Sequence, residues 1–134
     1  GSAHGVYKDM VAVYKNVLIG RVMEVYPYHS KVVLVTDPLC KVAVFCADTK
    51  ASGISEGTCS TDSFVVTHVN HLDTLKKGDY IISCGAGLVF PKGFGLGTIE
   101  SFERDGLFYI VQAKPLIAID RLEYCYLIQK GKES

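Results

Sequence analysis

Histidines and cysteines are the side chains of this chain most able to bind a metal or act as nucleophiles. His68 and His71 stand three residues apart, a spacing that two metal ligands can have. They fall where a strand pattern gives way to a bend, so their rings need not share a face. No Cys or carboxylate completes an evident ligand set, and no two cysteines have Cys-x-x-Cys spacing. The pattern therefore predicts neither a metal nor a cofactor.

A nucleophile remains an alternative because catalytic triads are assembled in space, whatever the order of their residues in the chain. Ser83 ends a predicted strand beside Cys84 and Gly85. Either side chain, paired with His68 or His71, would make a Ser or Cys hydrolase on a double β-barrel. The Gly-rich stretch 85–97 lacks the Gly-Lys-Ser/Thr ending and the following helix of a phosphate loop, so we interpret it as a structural connection.

Composition narrows the class of protein. Hydrophobic residues make up 49% of the 134 residues and charged residues 21%, as in a globular protein. Fourteen basic residues balance fourteen acidic ones, so no net field favours nucleic acid. The odd count of five cysteines leaves at least one thiol unpaired within the chain, and most lie in apolar runs typical of buried Cys. Gly1-Ser2 resembles the remnant of a cleaved tag, which predicts a piece of a longer protein.

The elements that position these residues are strands. Runs rich in β-branched and aromatic residues alternate with Gly, Pro, Asn and Asp turns, such as Lys15-Asn16 and Asp105-Gly106. About ten short strands and no long helix predict an all-β fold of two small β-barrels. Gly20 precedes Pro38, and Gly97 precedes Pro115, by the same interval, with strand, turn and strand between them.

This internal similarity suggests two related halves, which could be two barrels or two hairpins of one barrel separated by the inserted stretch 41–85. We predict a first subdomain from 1–40 plus 86–130, a second from the inserted stretch 41–85, and a frayed polar tail at 131–134.

The order of these motifs resembles the MreC family of rod shape-determining proteins. Residues 20–25 and 32–38 match G-x-V-x-x-V and V-x-L-x-T-D-P, 75–83 match the x-x-G-D-x-V-x-T-S-G run, and 90–97 match F-P-x-G-x-x-x-G. The matches span about residues 17 to 128. Cys84 departs from the Ser or Gly that the family often has at its position.

The resemblance implies a non-enzymatic scaffold of cell-wall elongation that maintains rod shape. Such a scaffold acts at the periplasmic face of the inner membrane and belongs to a membrane-anchored parent protein. Its implied partners are a class B penicillin-binding transpeptidase, MreD, RodA and MreB in the wider complex, and further copies of itself. A scaffold of this kind works by binding one conformation of its partner better than another.

Aromatic residues near turns are the candidate docking residues, because exposed aromatics supply much of the energy at protein interfaces. We predict an apolar cleft between the two halves that is lined by Tyr26, Tyr28, Phe90, Phe94 and Leu96. A β-barrel module of a secretion or efflux adaptor remains an alternative, since it shares the short strands.

Overall fold

The chain is all β in a computed structural model that describes residue 5 and residues 10–60, 62–85, 90–117 and 126–128, the last by backbone alone. No helix occurs in these ranges, so none there could cross a membrane. The strands are β1 (Val11–Tyr14), β2 (Val17–Val25), β3 (Ser30–Leu34), β4 (Lys41–Cys46), β5 (Ser52–Gly57), β6 (Phe64–Asn70), β7 (Tyr80–Ser83), β8 (Gly95–Asp105), β9 (Phe108–Pro115) and β10 (Tyr126–Ile128).

Six of the strands close into a barrel. Its order is β4–β5–β6–β9–β8–β7, with every neighbouring pair antiparallel and β7 returning to β4. β4 and β6 follow the alternation that such a wall requires, because buried Val42, Val44 and Cys46, and Phe64 and Val66, point inward between more exposed neighbours. Closure leaves β4, β5 and β6 without a free edge.

The remaining strands extend this sheet in the order β10–β1–β2, with β3 on the other side of β2. A single parallel pairing, Val17 with Gly95, connects them to β8. Among the described residues their pairings do not return to form a ring, so the predicted second barrel is not confirmed. One closed barrel with added strands is the observed architecture.

Strand pairing groups the chain differently from the predicted division into 1–40 plus 86–130 and 41–85. β8 and β9 come from the first of these segments, yet they pair with β7 and β6 from the second. The hairpin they form is therefore part of the barrel wall. Only β10 of that downstream segment pairs with β1. The predicted tail 131–134 lies outside the described residues.

Two turns have the conformations that their residues predict. Lys15 and Asn16 both have positive φ, 50° and 64°, as a type I′ hairpin turn requires. Gly106 has φ 64° and, with Leu107, joins Asp105 to Phe108. These tight turns set the register of the β1–β2 and β8–β9 hairpins.

The barrel and the added strands share one continuous apolar core. Val11, Leu18 and Val35 from the added part pack in the same buried cluster as Val42 and Phe64 from the barrel. The segment between β3 and β4 lies directly on the barrel, where Cys59 N donates to Thr36 O at 3.0 Å. Gly95 N donates to Asn16 O at 2.9 Å on the β8 side. Two backbone contacts therefore fix how the two parts sit together.

Candidate docking surface

The five predicted docking residues fall into two environments. Leu96 is 1% exposed and Phe90 7% exposed, and both belong to the core. Phe94 is half-buried and packs against that core. Tyr26 and Tyr28 are exposed, at 41% and 81%. Only the two tyrosines present large surfaces to a partner.

Among the described residues, the length of β2 separates the two tyrosines from the segment 90–96. Tyr26 and Tyr28 follow the far end of β2, whereas Leu96 lies beside Gly95, which pairs with Val17 at the near end. Eight residue steps along a strand span about 26 Å. The tyrosines and the segment 90–96 are therefore separate surfaces.

The aromatic tip, residues 26–29, is an ordered turn at the end of the β2–β3 hairpin. The rings of Tyr26 and His29 stack with centroids 4.6 Å apart, and Tyr26 N donates to His29 O at 2.9 Å. Tyr26 Oη donates to the Glu24 carboxylate, which raises the pKa of the tyrosine. Pro27 restricts the backbone between the rings. Tyr28 is thus held outward on a turn whose other aromatic groups are already in contact.

A second exposed apolar surface lies at the end of the barrel away from the added strands. Leu72 is 79% exposed, Leu107 67% and Phe108 44%. His71 N donates to Leu107 O at 3.0 Å, and the His68 ring meets the Phe108 ring edge-on with centroids 5.8 Å apart. The sequence motifs did not predict this surface. Leu107, an apolar residue inside a two-residue hairpin turn, was its signal.

Ser83 is not placed to act as the nucleophile of a hydrolase. This side chain is fully buried, and its Oγ donates to Pro91 O at 2.7 Å and accepts from Phe94 N at 3.0 Å. His68 is exposed and lies on β6, three strand spacings of about 4.8 Å each around the wall from β7. Ser83 therefore holds the segment 91–94 against β7.

No group of three or more His, Cys, Asp or Glu side chains within the described ranges is arranged to hold a metal ion. The His68 Nδ1 is hydrogen-bonded to Thr67 Oγ1 at 2.9 Å. His4 lies outside the described residues.

The described cysteines differ in accessibility. Burial raises the pKa of the Cys40 thiol to about 12, and burial also raises the pKa of Cys46. Cys84 is half-buried, whereas Cys59 is exposed. All four are free thiols, and Cys125 lies outside the described residues.

We expect Cys59 to react first among these four with iodoacetamide at pH 8, because the thiolate is the reacting species and must also be reachable. Cys40 should react only on unfolding. Peptide mapping after timed labelling measures both, with Cys59→Ser as the control. Labelling of Cys40 at the rate of Cys59 in the folded chain would contradict the buried position of Cys40.

Known relatives share this fold over nearly all of the chain. A cell shape-determining protein MreC of Haemophilus influenzae is 30% identical over 130 residues, covering 96% of this chain and 37% of the relative. A crystal structure of MreC from Pseudomonas aeruginosa is 28% identical, covers 96% of this chain and 84% of that one, and superposes with a TM-score of 0.89. The chain thus spans about a third of the full-length relatives.

More distant structures share the fold. One is a complex between penicillin-binding protein PBP2 and MreC from Helicobacter pylori, with TM-score 0.75, 18% identity, and coverage of 91% of this chain and 79% of that one. Another is the major periplasmic domain of the cell shape-determining filament MreC, with TM-score 0.72, 22% identity, and coverage of 87% and 74%. The family model for the barrel core of rod shape-determining protein MreC matches residues 1–129, so the chain belongs to the MreC family.

Proposed function

We propose that this chain is the docking part of a non-enzymatic scaffold for cell-wall elongation, and that it binds a class B penicillin-binding transpeptidase. The observation that carries the proposal is the solved complex of an MreC with PBP2, whose MreC chain has the fold described above. The family match favours this interpretation over an adaptor module of a secretion or efflux system.

The aromatic tip is the proposed contact. Tyr28 offers a large, amphipathic ring that is 81% exposed. The neighbouring stack of Tyr26 and His29 orders the turn before any partner arrives, so binding loses less conformational entropy there. Phe90, Phe94 and Leu96 remain in the proposed set with a different role. As buried or half-buried residues they would hold the segment 90–96 in place and would not contact the partner directly.

Titration of the extracytoplasmic domain of the transpeptidase from the same organism tests this site. We expect Tyr28→Ala to weaken binding at least about tenfold, because truncating an aromatic anchor costs about 1.4 kcal/mol or more. Tyr80→Ala is the matched control, since Tyr80 is 55% exposed but lies on the barrel. Equal losses for the two variants would place the contact elsewhere.

The wider assembly belongs to the same proposal. The chain spans about a third of its full-length relatives, so membrane anchoring, self-association, and contacts with MreD, RodA and MreB concern the parent protein. We place that protein at the periplasmic face of the inner membrane, in keeping with the periplasmic MreC domain that shares this fold. The scaffold would act by favouring the active conformation of the transpeptidase.

A further inference from the structure

β8 extends beyond the strand that covers its outer side. β7 begins at Tyr80, which pairs with Thr98, and the last backbone bonds on this side join Ile99 to Gly78 and Asp79. β8 continues for six more residues, to Asp105. Its other side pairs with β9 from Ser101 to Asp105, after an irregularity in the register at Glu100. Among the described residues, no strand lies beside the outer edge of residues 100–105, which we call the free edge.

The hairpin register shows which backbone groups point outward there. A two-residue turn closes on a hydrogen-bonded pair, here Asp105 with Phe108. Hydrogen-bonded and non-bonded pairs alternate along an antiparallel ladder, so Glu103 also bonds to β9. The N–H and C=O groups of Phe102 and Arg104 therefore point away from β9, toward the free edge.

A groove of about 420 Å³ lies over the face of the β8–β9 hairpin beside this edge. Cross-strand pairing puts Glu103, Ile110 and Asp105 on one face of the hairpin, with Ser101 and Gln112 beyond them. The Glu103 and Asp105 carboxylates are exposed, and no described side chain forms an ion pair or hydrogen bond with them. The groove is lined by Ser101, Phe102, Glu103, Arg104, Asp105, Ile110 and Gln112.

The intervening cation does not neutralise these acids. Arg104 also borders the groove, but its Nε donates to Gly106 O at 3.0 Å. The free edge and the groove beside it together offer outward backbone donors and acceptors, two carboxylates without a described partner and the half-buried Ile110. Each of these three features is complementary to a different part of an extended peptide: its backbone, a basic side chain or an apolar side chain.

We propose that the free edge binds an extended segment of a partner protein by strand addition, and that this segment carries Lys or Arg alternating with apolar residues. Main-chain hydrogen bonds to Phe102 and Arg104 would supply affinity, as in other strand-addition complexes. Basic side chains would pair with Glu103 and Asp105, and an apolar side chain would contact Ile110. This goes beyond the aromatic tip, which belongs to a different hairpin, so either site can fail alone.

The probe is a short acetylated and amidated peptide of alternating valine and arginine, titrated into the whole chain. We expect the amide protons of Phe102 and Arg104 to become protected from hydrogen exchange at least about tenfold on binding. Amides that point away from the edge, such as that of Glu103, should change little. The same peptide with N-methyl groups along its binding edge is the first control, because it keeps the charge and loses the donors. A valine–glutamate peptide is the second.

Two variants separate the backbone contribution from the charge contribution. Arg104→Pro removes an N–H that faces the free edge, a position where edge strands tolerate proline. Glu103→Lys with Asp105→Lys reverses the charge on exposed positions. We expect each to weaken peptide binding at least about tenfold, whereas Asp62→Lys, an exposed position between β5 and β6 that lies outside the free edge, should change it less than about twofold.

Four outcomes would overturn the proposal. Equal binding of the N-methylated peptide would show charge attraction without strand addition. Equal binding of the valine–glutamate peptide would show that the partner segment does not need basic side chains. If the amides of Phe102 and Arg104 gained no protection from exchange at millimolar peptide, the edge would not bind a strand. Its charged residues would then serve only to prevent association through the edge. Pairing of two copies of this chain through the same edge, seen without peptide by sedimentation, would replace the basic partner by a second copy.

Discussion

Gly57→Ala is expected to lower the free energy of unfolding by about 3 kcal/mol or more. A Cβ at this position would lie 2.1 Å from the carbonyl carbon of Thr36 and 2.3 Å from Asp37 N. Both are backbone atoms of the segment between β3 and β4, so neither can move away as a flexible side chain would. Relief of the clash has to shift that segment, together with the bond from Cys59 N to Thr36 O.

Urea denaturation monitored by circular dichroism measures this loss. Gly106→Ala is the matched control, because it adds the same methyl group where nothing lies within 4 Å. At a φ of 64° it should cost only about 1–2 kcal/mol of left-handed strain. If both variants lost the same stability, the close approach of the segment to β5 would not be a determinant of the fold.

Asp79→Ala is expected to cost about 3 kcal/mol, since it leaves three part-buried backbone donors without their acceptor. The Asp79 carboxylate is 3% exposed. It accepts from Tyr80 N at 2.8 Å, from Asp48 N at 3.0 and 3.1 Å, and from Thr49 N at 3.4 Å. One side chain thus joins the turn after β4 to the start of β7.

Thermal and chemical denaturation of Asp79→Ala and Asp48→Ala provide the comparison. Asp48 forms an ion pair with Lys76 at 3.0 Å that raises the pKa of the lysine, but both side chains are more than half exposed. Such a pair contributes about 0–1 kcal/mol. A loss below about 1 kcal/mol for Asp79→Ala would mean that the turn 47–49 finds other acceptors or solvent.

Local patterns predicted the strands and the tight turns well, because their signals lie within a few residues. Asn16 and Gly106 indicated turns that need positive φ, and both have it. No such local signal indicated which strands the β8–β9 hairpin would pair with. Pairing of β6 with β9 joins residues 38 to 49 positions apart in the chain, from Asn70 with Phe108 to Phe64 with Ala113. The equal spacing from Gly20 to Pro38 and from Gly97 to Pro115 suggested two halves without showing which strands each hairpin pairs with.

Exposure of the candidate docking residues was equally hard to predict. Phe90 and Tyr28 are both aromatic residues beside prolines, yet one is buried and the other exposed. The difference depends on the tertiary position of each turn: residues 90–94 fold back on Ser83, and residues 26–29 end a hairpin. Leu72 was missed for the same reason, because nothing near it in sequence indicates that the loop after β6 meets the turn at Leu107.

Calorimetric titration of this chain with the extracytoplasmic domain of its transpeptidase tests the docking function most directly. We expect a saturable complex with a dissociation constant of about one micromolar or tighter, a binding free energy near −8 kcal/mol. Tyr28→Ala should weaken it. Absence of binding by the folded chain, and also by the longer parent protein, would contradict the scaffold function.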